Sequence, residues 1–465
     1  MRQLAALLLT AATIAAPAAA QTRPDQQQFR ALYKDLVETN TVVGKGSCTA
    51  AAQKAGAYLK AAGFTDAELT YFADADHPQD GGLVAVLPGR DKAAKAILLL
   101  GHLDVVEAKR EDWTRDPFKL IEEDGFFYAR GTADMKGLDA VWIDTLARLR
   151  KSGPAPKRTI KLALTCGEET TWAFNGAEWL AKNKPDLIAA EFALNEGGGG
   201  RLSRDGKPEL LSMQVGEKTV QNYRLETTNP GGHSSRPVPD NAIYELAQAL
   251  AKVQAYEFPV KFTDTTRAYF TTIGKQQGGA LGAAIPKLIA NPNDAAANKV
   301  ISADATYHSM LRTTCVATLL EGGHANNALP QRAAANINCR IHPLDSVEST
   351  EAALIAAIAD PKVKVTQVPP RRPAAVPPPL DPKVLGPAQT VAAKYWPGLT
   401  ILPSMSIGGT DGIYLSAIGI PVYGVPGIMS EADSNGAHGL NERMRVESLY
   451  RGRDYLFDLV KAYAG

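Results

Sequence analysis

Apolar positions recur along this chain in two different rhythms. Five short runs, 83–87, 96–100, 160–165, 191–194 and 421–425, are apolar almost throughout, as strands buried on both faces of a parallel sheet are. Between and around them the spacing turns helical, predicting helices over 26–38, 50–62, 138–151, 176–183 and 442–464. Strand–helix alternation of this kind predicts an α/β domain: a mostly parallel sheet flanked by helices.

The middle of the chain follows another pattern. Segments 218–227, 313–320 and 333–341 alternate as half-buried antiparallel strands do, and 240–253 and 349–358 read as amphipathic helices covering one face. They outline an inserted α+β domain over 217–368, leaving 21–216 and 369–465 for the α/β domain. Residues 280–305, rich in alanine and asparagine, read as an elaboration of the insertion. Proline-rich 369–379 is either a stiff hinge back into the first domain or a surface loop.

The first twenty residues stand apart. Arg2 precedes an apolar stretch from Leu4 to Ile14, and Pro17-Ala18-Ala19-Ala20 supplies small residues before Gln21. This is the layout of a cleaved signal peptide, too short to span a bilayer. The expected product is exported, periplasmic or secreted. Later segments never reach twenty consecutive apolar residues.

With 465 residues, 45% of them hydrophobic, the chain can build two cores. Fifty basic residues balance 49 acidic ones, which excludes a nucleic-acid footprint or a surface made for anionic lipid. A small molecule is the expected partner. The four cysteines, Cys48, Cys166, Cys315 and Cys339, lack CxxC spacing, so no zinc knuckle is expected. Cys166 ends an apolar run and reads as a buried core thiol. Cys315 and Cys339 lie in two runs able to form one hairpin, and their pairing is left open.

Ligands gather outside the carboxyl ends of an open parallel sheet. Here the runs end in Gly101-His102-Leu103-Asp104, in Gly167-Glu168-Glu169 and in Asn195-Glu196-Gly197-Gly198, with Asp134 just before a helix. Alone, His102 would read as a core histidine and Glu168-Glu169 as a solvated pair. Together on one rim, their carboxylates would resist ionisation unless a cation neutralised them. A His/Asp/Glu set without thiolates suits zinc, with manganese or cobalt able to substitute.

At this point the chain resembles the co-catalytic zinc peptidases and amidohydrolases of the M20 family. The resemblance rests on His102-x-Asp104, Arg130-Gly131-x-x-Asp134-x-Lys136-Gly137, Glu168-Glu169, Glu196-Gly197-Gly198 and His438-Gly439-x-Asn441-Glu442. It implies two divalent ions bridged by Asp134, with His102 and Glu196 completing one and Glu169 and His438 the other. Glu168 would be the general base, and Asp104 would hydrogen-bond the far nitrogen of His102. It also implies a cis Asp134–Met135 peptide. The insertion would be a lid and dimerisation domain, with His233, often from the partner subunit, stabilising an oxyanion. Asn327 and Arg340 would hold substrate, Arg340 gripping its carboxylate, and the loop Ile407-Gly408-Gly409-Thr410-Asp411-Gly412 would face that carboxylate through Gly408, Gly409 and Thr410.

The implied reaction is hydrolysis of a peptide or N-acyl amide bond beside a free carboxylate, either by a carboxypeptidase or dipeptidase or by an N-acyl-amino-acid amidohydrolase. The rival from another class is a binding protein that kept the fold and lost catalysis. Its mark would be a missing base or ligand, and none is missing.

Overall fold

The computed structural model describes residues 23–170 and 174–465, so the leader read at 1–20 lies outside the described residues. A ten-stranded sheet organises the larger unit. At its centre Ile97–His102 runs parallel to Ile160–Thr165 on one side and Phe192–Asn195 on the other, with His102 opposite Thr165 and Leu99 opposite Leu194. Three carboxyl ends therefore reach one rim.

Both faces of these strands are buried, which is why they read as unbroken apolar runs. Side chains divide between the faces by parity. Ile97, Leu99 and Leu162 enter one core with helices Pro24–Val37, Cys48–Ala61, Lys136–Lys151 and Val446–Ala464. Leu98, Leu100 and Ala163 face Gly176–Asn183 and Gly412–Ala417. Truncating one such leucine, Leu99 for example, to alanine costs ~2–5 kcal/mol.

Burial on both faces also explains one departure from the expected sheet. The run 83–87 is the end of His77–Leu87, which pairs antiparallel with both Leu69–Asp74 and Ile160–Thr165. Burial makes a strand apolar whatever its direction. Helix starts differ too. Ser47 caps Cys48–Ala61, its Oγ accepting the Ala50 N–H at 3.1 Å, and the last helix begins at Val446, leaving Glu442 outside it.

The smaller unit is a four-stranded antiparallel sheet ordered Thr314–Gly322, Arg332–Ile341, Thr219–Thr228, Lys364–Val368. Helices Ala242–Ala255 and Val347–Ile358 pack on it. Residues 280–305 form helices Gly279–Ala290 and Ala295–Ile301 and the start of Ala305–Met310. Their core, with Phe270, Ile273, Ile285 and Leu288, closes on Leu402 and Met405. This segment thus packs against the large sheet's strand Ile401–Ser404 and not on the small sheet, because its apolar face meets that strand.

Cys315 and Cys339 stand opposite one another on paired strands and are bonded. Cys166 is buried as expected but is not a free thiol: it is bonded to Cys48. The helix that begins at Cys48 packs on the sheet, bringing together residues 118 apart in sequence.

Candidate metal centre

His102 ends the central strand with its side chain 2% exposed. Its Nδ1 lies 3.0 Å from the Asp104 carbonyl oxygen, which can only accept, so Nδ1 carries the proton. Nε2 then turns a lone pair toward Asp134 Oδ1 at 3.4 Å and Glu196 Oε1 at 3.6 Å, and it has no hydrogen-bond partner among the described residues. A buried lone pair facing carboxylate oxygens requires a positive charge between them. Burial opposes a proton there, yet Glu196, Asp134 and Asp104 outweigh it and hold the imidazole pKa well above its ordinary value. The site thus wants a cation, and a divalent ion fits the donor set.

Glu168 and Glu169 follow Gly167, whose φ of +93° favours glycine and whose added Cβ would meet the Phe174 carbonyl oxygen at 1.9 Å. The Asp104 carboxylate accepts their backbone N–H groups, at 3.3 Å from Glu168 and 2.9 Å from Glu169. Asp104 therefore meets His102 through its carbonyl. Its carboxylate, expected to do so, stands 3.7 Å from Nδ1 because the two glutamate amides hold it.

Asp134 sits on a loop wrapped around Glu442. The buried Glu442 carboxylate accepts N–H bonds from Gly131 at 3.0 Å, Ala133 at 2.7 Å and Asp134 at 3.1 Å, and pairs with Arg130 Nη1 at 2.6 Å. The Asp134–Met135 peptide is cis. Asp134 Oδ1 looks toward His102, while Oδ2 lies 3.1 Å from His438 Nε2, itself 2.9 Å from Glu169 Oε2. Two sets of side chains, His102 with Asp134 and Glu169 and His102 with Glu168 and Glu196, each bring ligand atoms within 4.8 Å of one another.

Electrostatics follow from this crowding. Burial lifts the Glu168 pKa well above the carboxylate range and Glu196 to about 8. Burial also pushes Asp134 up, but the neighbouring imidazoles of His102 and His438 prevail and hold it below its usual value. Hydrogen bonds to Asp134 and Glu169 raise His438 to about 10.

The other sequence-derived residues fall into two groups. His233 and Asn327 share a two-stranded ribbon: His233 pairs with Ala328, and the Asn327 carbonyl accepts the Ser234 N–H at 3.0 Å. His233 is exposed, its Nδ1 2.8 Å from Ser235 Oγ, and among the described residues no hydrogen bond or ion pair joins it to the metal cluster. Arg340 and the glycine loop lie nearer. Burial lowers the Arg340 pKa, as does Arg372, while Glu168 raises it. Its Nε donates to Asn338 Oδ1 at 3.2 Å.

In the glycine loop, the N–H and Oγ of Thr410 both donate to Glu217 Oε2, at 2.7 and 2.9 Å. The Gly408 N–H donates to Ser406 Oγ at 3.0 Å. Sequence patterning passes over Glu217, and it gives no role to Asp411 of the same loop, which accepts from Thr165 Oγ1 and Asn175 Nδ2 at 2.7 Å each. Glu217 carries no local motif; only its burial marks it.

Known proteins resemble this chain over most of its length. The human N-fatty-acyl-amino acid synthase/hydrolase PM20D1 is 26% identical over 435 residues, covering 91% of this chain and 85% of its own. A probable carboxypeptidase S-like 2 of Dictyostelium discoideum is 28% identical over 386 residues, covering 80% and 72%. The crystal structure of the M20 family metallo-carboxypeptidase Sso-CP2 from Sulfolobus solfataricus shares the fold, with a TM-score of 0.71 at 18% identity over 94% of this chain and 99% of that one. The family profile itself matches residues 98–462, which include every candidate metal ligand, and the chain belongs to peptidase family M20/M25/M40, a hydrolase on the M20 fold.

Proposed function

We propose that this hydrolase cleaves a peptide or N-acyl amide bond beside a free carboxylate. It uses two divalent cations, zinc foremost, with Asp134 shared between His102 and Glu196 on one side and Glu169 and His438 on the other. The observation that carries this reading is the split of Asp134, one oxygen facing each histidine. Bound cations would polarise the scissile carbonyl and acidify the attacking water.

Glu168 takes the proton of that water and passes it to the leaving nitrogen. Its carboxyl lies with His102 and Glu196 at the cluster, placed to hold that proton between the two steps. Arg340 and the Gly409 N–H receive the substrate carboxylate, since the donors of Thr410 and Gly408 already serve Glu217 and Ser406. The names of the human and Dictyostelium relatives, an N-acyl-amino acid hydrolase and a carboxypeptidase, support an amide next to an amino-acid carboxylate.

His233 belongs, on this reading, to the site of a second copy. The lid's edge strand Thr314–Gly322 exposes Leu319 at 67% and Leu320 at 70%, and the helix Ala242–Ala255 that touches this strand exposes Tyr244, which supports pairing there. Two disulfides support an exported protein. The decisive experiment measures bound metal and compares an N-blocked dipeptide with its C-terminally amidated twin. About two ions per chain and cleavage of the free acid alone are expected. Equal rates on both would overturn carboxylate recognition.

A further inference from the structure

Helices cover the face of the lid sheet on which Tyr223, Ile337 and Cys339 are buried. Strand alternation sends Asn222, Asn336, Asn338 and Arg340 to the other face. Asparagine is depleted in strands, so its recurrence on one face of two paired strands calls for a reason. Asn222 stands directly opposite Asn338.

Hydrogen bonds join these side chains in a line. Arg340 Nε donates to Asn338 Oδ1 at 3.2 Å, and Asn338 Nδ2 donates to Asn222 Oδ1 at 2.9 Å. Asn336 Nδ2 donates to the same Asn222 oxygen at 3.2 Å and to Thr318 Oγ1 at 2.7 Å. The arginine sets the direction of the line. Its Nε can only donate, so Asn338 must turn its oxygen there and its NH₂ to Asn222, which must then offer oxygen. Reversing one amide would bring two donors or two acceptors face to face.

The far end is fixed by an irregularity in strand pairing. Ala317 stands opposite Ile337 and Leu319 opposite Asn336, which leaves Thr318 as an extra residue. A bulge re-aims the side chain it carries, and here the Thr318 hydroxyl meets the Asn336 amide. The near end lies toward the base, since the Glu168 charge acts on Arg340. Among the described residues Arg340 Nη1 and Nη2 make no hydrogen bond or ion pair.

We infer that Asn338, Asn222, Asn336 and Thr318 are positioning residues that hold Arg340 by its Nε, so that it meets the substrate carboxylate end-on through Nη1 and Nη2. The inference rests on the proposed recognition of a free carboxylate and adds how the guanidinium is aimed. Held before substrate arrives, the side chain loses less freedom on binding.

The test uses Asn338→Leu and Asn222→Leu, which break the line at similar side-chain size, and Thr318→Val, which keeps the shape of threonine. All are checked for folding and metal content. For the metal-loaded enzyme and an N-blocked dipeptide, KM should rise on the order of tenfold or more in Asn338→Leu, which loses the acceptor of a charged donor. The rise should shrink from Asn222→Leu to Thr318→Val, with kcat held within about twofold throughout. In an Arg340→Lys background, where no Nε remains, Asn338→Leu should leave KM unchanged. A fall in kcat at unchanged KM, or an Asn338→Leu effect that adds in full to Arg340→Lys, overturns the inference.

Equal cleavage of the free acid and its amidated twin by the wild type, or cleavage of neither, would instead strike carboxylate recognition or the hydrolase reading. The line of side chains then has its own readout, exchange of the Arg340 Nε–H proton with water, followed by NMR and assigned through Arg340→Lys. Exchange about tenfold faster or more in Asn338→Leu upholds the positioning role; an unchanged rate overturns it.

Discussion

The Asp104 carboxylate accepts the backbone N–H of Glu169 at 2.9 Å, so a residue buried behind the cluster fixes the position of one in front of it. Through its other oxygen it holds Glu168, and through its carbonyl it orients His102. Asp104→Asn puts an amide NH₂ against one of those N–H groups. Metal affinity should fall about 10–100-fold, as it does when groups orienting metal ligands are lost. Chelator competition measures this, and unchanged affinity would remove Asp104 from that role.

Glu168→Gln separates proton transfer from metal binding. The amide keeps the size of the side chain and cannot take a proton. Metal content should stay at the wild-type level while kcat falls by roughly 10²–10⁴, the usual contribution of a positioned base. Metal analysis and steady-state rates on one preparation decide the matter, since retained turnover would exclude Glu168 as the base.

Glu442 tests how the Asp134 loop is held. Glu442→Ala would strand the buried Arg130 and three loop N–H groups at once. Breaking a buried ion pair from one side costs ~3–5 kcal/mol. Urea unfolding should report a loss of that order, and the double variant with Arg130→Met should recover part of it. A loss in the range of a surface pair would mean that the loop is held elsewhere.

These residues differ in how readable they are from sequence. His102, Glu168 and Glu196 follow apolar runs, and a parallel sheet sends such positions to one rim, so periodicity and chemistry point the same way. Asp104 is readable as a partner of His102, but whether carbonyl or carboxylate makes the bond depends on where two glutamate amides lie. Cys166 is readable as buried; its bond to Cys48 depends on a helix docking across 118 residues. Residues 280–305 read as an elaboration of the insertion, while the strand they cover, Ile401–Ser404, comes about a hundred residues later. Thr410 shows the same limit, since its hydroxyl is claimed by Glu217, which no local pattern singles out.

Glu217 also sets a pH dependence. Burial raises its pKa to about 7, against an ordinary 4.5. Between those values the folded protein keeps a proton that the unfolded chain has released. Its contribution to stability is therefore full below pH 4.5 and is lost as pH rises through 7. Glu217→Gln cannot titrate, so between pH 5 and 7.5 its unfolding free energy should decline less than that of the wild type. Over each pH unit in that interval this one carboxyl can account for at most ~1.4 kcal/mol of the difference. Parallel pH profiles from denaturant unfolding would assign the decline to another group.

The proposed sharing of His233 between two copies predicts a result that no single variant can imitate. His233→Ala and Glu168→Gln should each be nearly inactive, because one lacks the oxyanion donor and the other the base. In a dimer built by exchange of both, one site inherits both lesions and the other inherits neither. Random pairing of equal amounts should restore roughly a quarter of the wild-type activity, the share of sites that regain both groups in a two-fold assembly. If His233 serves its own chain's site, every site keeps one lesion and mixing restores nothing. The exposed strand edge at Leu319 and Leu320 supplies the control: Leu320→Lys should yield a monomer by sedimentation and abolish the rescue.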